Sequence, residues 1–342
     1  MDHIAIDLGG RESQICTRNA GGEIVDERRW LTGELERYLA RREPSHVIVE
    51  TCAEAFRVAD IALELGHQAV VVPATLVKSL GVGARGVKTD VRDARATSLA
   101  SCRIDLPSVH IPSAWAREVK SMCGMREALV QARTKLINTV RGWMRGQVIR
   151  IRSGASRTFP ERVRTAAMSR EIELPRFVVR QLETLETLNA QIGEADKEVR
   201  EYAKNNEVCR RLMTVPGVGP VTALRFVAAL DTVERFTSAH SVQSYVGLTP
   251  GEHSSSKLKR RTSITKAGSP ELRWALVQAA WAARRTRNNG VDPMVVWSRG
   301  VEERRGKRIA TVALARKIAG VMFAVWRDGT TYDPARMREH QH

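Results

Sequence analysis

HIAIDLGGRESQICTRNAGGEIVDERRWL, residues 3–31, decides the fold of the first part of this 342-residue chain. Residues 3–8, 11–19 and 23–31 read as three strands. The Ala20-Gly21-Gly22 turn joins the last two as a hairpin, because glycine supplies the positive φ that short hairpin turns need. Further on the pattern changes to alternation. A helix is predicted over 33–43, a strand over HVIVET (46–51), a helix from Glu54 to Leu65, a strand over QAVVVP (68–73), and helices over 74–80 and 90–104.

Three antiparallel strands followed by βα alternation predict a ribonuclease-H-like α/β domain. In such a sheet the first and fourth strands are neighbours, which brings Asp7 and Glu50 to one edge. Asp90 and Asp93, in KTDVRDA (88–94), lie three apart on a helix and share a face. Four gathered carboxylates repel one another unless cations sit among them. Two Mg²⁺ ions about 3.5–4 Å apart would remove that cost and stabilise both the attacking and the leaving oxygen at a phosphate. Oxygen ligands without Cys or His favour Mg²⁺, with Mn²⁺ as a substitute, over zinc. Singly, each acid has an ordinary reading: Asp7 in a turn, Glu50 at a strand end, Asp90 as an N-cap, Asp93 in a first helical turn. Their joint placement argues for a site.

The formal charge of +17 is unevenly spread: −2 over residues 1–110, +7 over 111–205 and +12 over 206–342. Such asymmetry fits a polyanion held by the last two thirds, since neutralising phosphates releases counterions. The five cysteines, Cys16, Cys52, Cys102, Cys123 and Cys209, never form a CxxC pair, which argues against a disulfide framework and against structural zinc. No apolar run is expected to reach the roughly 20 residues of a membrane span. The chain opens directly into a strand pattern, so a cytoplasmic protein without membrane contact is expected.

The middle segment, 111–205, reads as helical. Met122, Met125, Leu129, Ala132, Leu136, Val140 and Trp143 form one three-four seam, and Leu185, Leu188, Ile192, Ala195, Val199 and Tyr202 another. Two such helices pair either within one chain or between subunits. An arginine-rich connector over 145–160 separates them. The segment 206–330 opens with LMTVPGVGPVTALRFVAAL (212–230), where Gly217 and Gly219 suit a helix-hairpin-helix that offers backbone N–H groups to a phosphate. A Gly/Pro turn between packed helices is the plainer alternative. Next come YVGLTP (245–250), a Ser/Lys/Arg-rich stretch (254–266), a helix capped by Ser269 with Pro270 at its first position, and a last helix over 307–327. Residues 331–342 form a tail.

Ser254, Ser255 and Ser256 lie among Lys257, Lys259, Arg260, Arg261 and Lys266, with Arg273 following. A serine attacks a phosphodiester only when its proton is removed and the charge on phosphate is stabilised, and these cations suit the second task. By composition alone, a serine triplet in a basic loop is more often a phosphate-contacting loop than a nucleophile.

In this order AIDLGG, VIVET, KTDVRDA, VPGVGPVTA, YVGLTP, the serine cluster, ITKAG and LRWAL resemble the DEDD-type transposases of the insertion sequence 110 family, which include the Piv DNA invertases. The resemblance implies a RuvC-like domain with a metal-binding tetrad of Asp7, Glu50, Asp90 and Asp93. It implies a nucleophile at Ser255, five residues after Pro250; family members commonly have Gly after that serine, where this chain has Ser256, so Ser254 and Ser256 remain alternative registers. It further implies a phosphoserine link to DNA, a homo-oligomer in which the tetrad of another subunit meets the serine, and a noncoding guide RNA that pairs with donor and target DNA. Two other functions share some of these features. IAIDLGG also resembles the phosphate turn of actin-like and sugar-kinase ATPases, but no second strand-DxG motif follows. A junction nuclease would use the tetrad hydrolytically, without a covalent intermediate.

Overall fold

A computed structural model describes residues 1–79, 89–255, 258–286 and 291–337, and side chains within these except at 77–79, 252–261 and 337. The chain divides into two compact units, Met1–Pro112 and Ser113–His342.

The first unit is a five-stranded mixed sheet. Its strands are β1 (His3–Asp7), β2 (Glu12–Arg18), β3 (Ile24–Leu31), β4 (His46–Glu50) and β5 (Gln68–Val72), in the order β3-β2-β1-β4-β5. β1 pairs antiparallel with β2, and β2 with β3, whereas β1–β4 and β4–β5 are parallel. The middle residues of β1 and β4 are buried, as expected of central strands covered on both faces. Helices α1 (Leu35–Leu39) and α2 (Ala55–Glu64) cover one face with a core of Ile4, Ile6, Ile15, Leu35, Leu39, Val47, Val49 and Val58. A short α3 (Ala74–Ser79) follows β5. The architecture is consistent with a ribonuclease-H-like domain. The predicted helix over 33–43 shrinks to a 3-10 turn and the five residues of α1, because Glu43-Pro44-Ser45 stops it.

Helix α4 (Asp90–Arg103) lies on the other face, where small buried residues, Ala94, Thr97, Ser98 and Ala100, permit close approach to β1 and β2. Polar contacts fasten it. Arg95 clamps Glu27 of β3 by donating from Nε to Oε2 and from Nη2 to Oε1, the latter at 2.9 Å. Ser98 Oγ accepts from Arg18 Nε at 3.1 Å and contacts Cys16 Sγ at 3.3 Å, and His3 Nδ1 lies 2.7 Å from Ser101 Oγ.

The second unit is helical apart from one hairpin. Helices α5 (Ala114–Gly146), α6 (Phe159–Met168) and α7 (Arg176–Asn205) come first. The two long helices, α5 and α7, pair antiparallel inside the chain: Glu118 accepts from Tyr202, Arg126 Nε donates to Asp196 at 2.6 Å and Arg133 reaches Asn189. The buried stripe of α5 is Ala116, Val119, Cys123, Ile137, Val140 and Met144; it keeps Val140 of the predicted seam but elsewhere runs one position on, with Cys123, Ile137 and Met144 buried beside Met122, Leu136 and Trp143, and Met125 is 71% exposed. Arginines in mid-helix explain the slip: Arg126 and Arg133 occupy the contact that an apolar seam would fill. On α7 the seam residues Leu185, Ile192 and Val199 are buried as expected. Arg225, itself buried, ion-pairs with Glu127 at 3.6 Å and donates to the Cys123 carbonyl.

Five more helices, α8 (Glu207–Leu212), α9 (Pro220–Leu230), α10 (Ala239–Tyr245), α11 (Pro270–Arg285) and α12 (Pro293–Arg305), surround α13 (Lys307–Arg327) in the larger core. Leu314, Ala315, Ile318, Ala319 and Met322 of α13 are fully buried there. By length and composition α13 is apolar enough to cross a membrane, which corrects the expectation that no run would be; half of that apolar window is buried inside the protein.

Candidate active site

The carboxylates are positioned by strand register. β1 and β4 run parallel with Ile6 opposite Val49, so Asp7 and Glu50 end adjacent strands at matching positions. Thr51 holds the end of β4 in place, its amide and hydroxyl both donating to the Val72 carbonyl at 2.9 and 2.8 Å. Beyond Asp7, a Cβ on Gly9 would stand 2.3 Å from the Glu12 carbonyl. That glycine is therefore required to close the turn into β2, which gives the IAIDLGG motif a structural cause independent of nucleotide binding.

Thr89, and not Asp90, caps α4, accepting from the Arg92 amide at 3.3 Å. Asp90 and Asp93 thus fall in the first helical turn, where negative charge complements the helix dipole. Asp93, only 3% exposed, points between the sheet and the helix. Asp7, Glu50 and Asp93 line one cavity of about 10 Å³ together with Ala5, Ile6, Ala94 and Thr97. Asp90 is exposed and lines a neighbouring groove with Arg11, Glu12, Ser13, Gln14 and Arg29. Three of the four acids therefore share one cavity, and the fourth borders the groove beside it.

By chemistry this donor set suits a hard divalent cation: three carboxylates, one of them buried, around a space about the size of one water molecule. That space is smaller than two ions need. Among the described residues no group of three or more Asp, Glu, His or Cys side chains is arranged to hold a metal ion. The donors fit the ion in kind, and the side chains would have to draw inward to close around it.

In the second unit, β6 (Pro250–Ser255) and β7 (Leu258–Ile264) form a two-stranded antiparallel hairpin. Ser255 ends β6 opposite Leu258, Ser254 stands opposite Lys259, and His253 and Glu252 stand opposite Arg260 and Arg261. Ser256 and Lys257 lie outside the described residues. This hairpin is the element that sequence reasoning missed, since its two-residue connection carries none of the Gly or Asn that signals a tight turn. Arg273 on α11 donates to the carbonyls of Val246 and Ala267 at 3.1 and 2.9 Å and so ties together the segments entering and leaving the hairpin. Lys266 is exposed in the turn after β7, with φ of 58°.

Gly217 has φ of +81°, and a Cβ there would stand 2.1 Å from the Ala279 carbonyl and 2.7 Å from the Ala283 amide of α11. Packing alone demands this glycine. Gly219 precedes α9 with open space around its Cα, and no side chain caps that helix. A larger groove of about 630 Å³ runs along α5 to Trp274, and its lining holds one carboxylate, Glu127, and no Ser, Cys or His.

An acid-lined sheet edge, in a chain whose excess positive charge lies outside residues 1–110, suits an enzyme that acts on nucleic acid. Residues 4–148 match a family model for DEDD-domain transposases of the IS110 type, and residues 209–296 match the model described as transposase IS116/IS110/IS902 family. The chain belongs to this family of transposases, enzymes that cut and rejoin DNA. It is 29% identical over 333 residues to the transposase for insertion sequence element IS1111A of Coxiella burnetii, covering 96% of this chain and 90% of that protein. A probable family 20 transposase of Pseudomonas aeruginosa is 29% identical over 340 residues, 98% and 99% of the two chains. The pilin gene-inverting protein of Moraxella bovis is 30% identical over 123 residues, 36% of this chain and 38% of that protein.

Proposed function

We propose that this transposase cuts DNA by serine attack at a phosphate held by the acidic edge of the first unit, under the direction of a noncoding guide RNA. The observation that carries the reading is the convergence of Asp7, Glu50 and Asp93 on one cavity at the ends of adjacent parallel strands. Asp90, one turn before Asp93, completes the set at the rim. Mg²⁺, or Mn²⁺ in its place, would supply charge stabilisation at the phosphoryl oxygens when bound.

Ser255 at the end of β6 is the nucleophile of this reading. As its hydroxyl loses its proton, the Oγ–P bond forms and the bond from phosphorus to the leaving strand breaks. The leaving strand takes up a proton and ends in a hydroxyl; the hydroxyl freed in the same way on the partner strand to be exchanged then attacks the phosphoserine ester, forming the new O–P bond as the Oγ–P bond breaks and the serine regains its proton. Lys257, Lys259, Arg260, Arg261 and Lys266 hold flanking phosphates, while Gly219, at the N-cap of α9, offers its backbone N–H to the duplex. Arg273 acts as a positioning residue through the carbonyls it ties. Serine and acids come from different subunits of a homo-oligomer, each acting on the phosphate that the other holds.

The test is a detergent-quenched reaction with the DNA that flanks the gene and the RNA transcribed from it. A covalent protein–DNA adduct is expected in the unmodified chain, absent in Ser255→Ala. Asp7→Asn and Asp93→Asn should also abolish recombination while leaving nucleic-acid affinity within about threefold. Metal-dependent cleavage without any adduct would replace this reading with hydrolysis by the acidic edge alone.

A further inference from the structure

The register of the sheet places more than carboxylates on the face under α4. Asp7 is opposite Gln14, and Gln14 is opposite Arg29, so the three form one row across β1, β2 and β3. Directly opposed residues of antiparallel strands share a face. Glu27, two residues before Arg29, meets Arg95 of α4, which identifies that face as the one α4 covers. Glu50 extends the row on the far side of Asp7. At about 4.8 Å per strand, Arg29 stands two strands, about 10 Å, from Asp7.

Arg29 opens into the groove of about 370 Å³ that it lines with Arg11, Glu12, Ser13, Gln14 and Asp90. Asp90 belongs to the same helical turn as Asp93, so this groove adjoins the acidic cavity. Neighbouring arginines already have partners within the unit: Arg18 on Gly22 and Ser98, Arg28 and Arg42 on Asp26, Arg95 on Glu27. Arg11 and Arg29 are exposed, and among the described residues neither side chain has a hydrogen bond, ion pair or ring contact. Glu12 and Asp90 line the groove with them but pair with neither. The unit as a whole is not basic, with −2 over residues 1–110, and its acidic edge repels a polyanion. Seating a phosphodiester there needs local cations.

We infer that Arg11 and Arg29 form a phosphate subsite beside the acidic cavity, gripping the nucleic-acid backbone a short way along the strand from the bond to be cut. The inference rests on the proposed role of the acidic edge and deepens it. Two guanidiniums on one groove wall give forked contacts to phosphate oxygens, and the row fixes the direction in which the bound strand runs, from Glu50 and Asp7 towards β3.

The experiment compares the full-length chain with Arg11→Ala/Arg29→Ala and with a control of equal charge, Arg37→Ala/Arg41→Ala, on the opposite side of the sheet. The probes are a labelled 30-base-pair DNA duplex of gene-flanking sequence and an RNA duplex of the same sequence. Loss of two phosphate contacts should weaken binding about tenfold and flatten the dependence of log affinity on log salt by about 2. The control should change the slope by less than half as much. The probe whose slope falls identifies the backbone held, DNA or RNA. With DNA substrate, KM should rise while kcat stays within about threefold. Unchanged slopes, or equal loss in the control, overturn the subsite. Absence of Asp7-dependent cleavage in the unmodified chain would instead count against the acidic edge as a catalytic site, and the binding slopes still decide the arginines.

Discussion

At the scale of single residues, two glycines of one motif have different causes. Gly217 holds a positive φ and touches the backbone of α11, whereas Gly219 has open space around it. Gly217→Ala should cost about 3 kcal/mol, from strain and from backbone overlap that cannot relax cheaply. Gly219→Ala should cost less than about 1 kcal/mol. Urea unfolding of both variants measures the difference, and equal costs would contradict the packing assigned to Gly217. The motif was legible in the sequence, but which glycine serves the core was not, because that depends on where α11 passes. Asp93 shows the same limit: its spacing from Asp90 was readable, while its burial follows from the small residues that let α4 settle on β1.

Among elements, the docking of α4 decides the site, since that helix brings Asp93 to the strand ends. The hydrogen bond and charge of Arg95 hold the Glu27 carboxyl below its ordinary value of 4.5. A depressed carboxyl contributes stability that is fully present above the unfolded value and is lost as pH falls through the folded one. The native chain should therefore lose thermal stability on acidification below about pH 4.5, and Glu27→Gln should flatten part of that loss. Thermal midpoints at stepped pH, followed by circular dichroism, check this; parallel acid limbs in the two proteins would exclude the contribution. The strands of this sheet were foreseen to within a residue or so, because alternation and turn glycines are local signals. The β6–β7 hairpin escaped because its turn lacks such a signal. The one-position slip on α5 has a third cause: Arg126 and Arg133 take contact positions through partners on α7, 70 and 56 residues away.

For the whole molecule, charge is separated from the acidic edge. If the basic segments bind backbone, as the family's DNA chemistry requires, affinity for duplex DNA should fall on the order of a thousandfold between about 50 and 200 mM salt. Fluorescence anisotropy with a gene-flanking duplex measures it. A fall of less than about tenfold would mean that the +12 of residues 206–342 is a solvated surface. The two long helices illustrate how the sequence left a choice that the fold made. Apolar seams allowed pairing within or between chains, and the Glu118–Tyr202, Arg126–Asp196 and Arg133–Asn189 contacts pair α5 with α7 inside one chain.

By itself the sequence determined the order of strands and helices, the two strand-end acids, the paired acids on α4 and the charge map, all of which depend on neighbours a few residues apart. Tertiary structure decided the rest. It placed Asp93 with Asp7 and Glu50, turned Asp90 towards the arginine groove, committed Gly217 to packing and made the serine segment a hairpin. Each of these outcomes depends on which distant backbone a residue meets, and register and helix packing fix that only once the chain has folded.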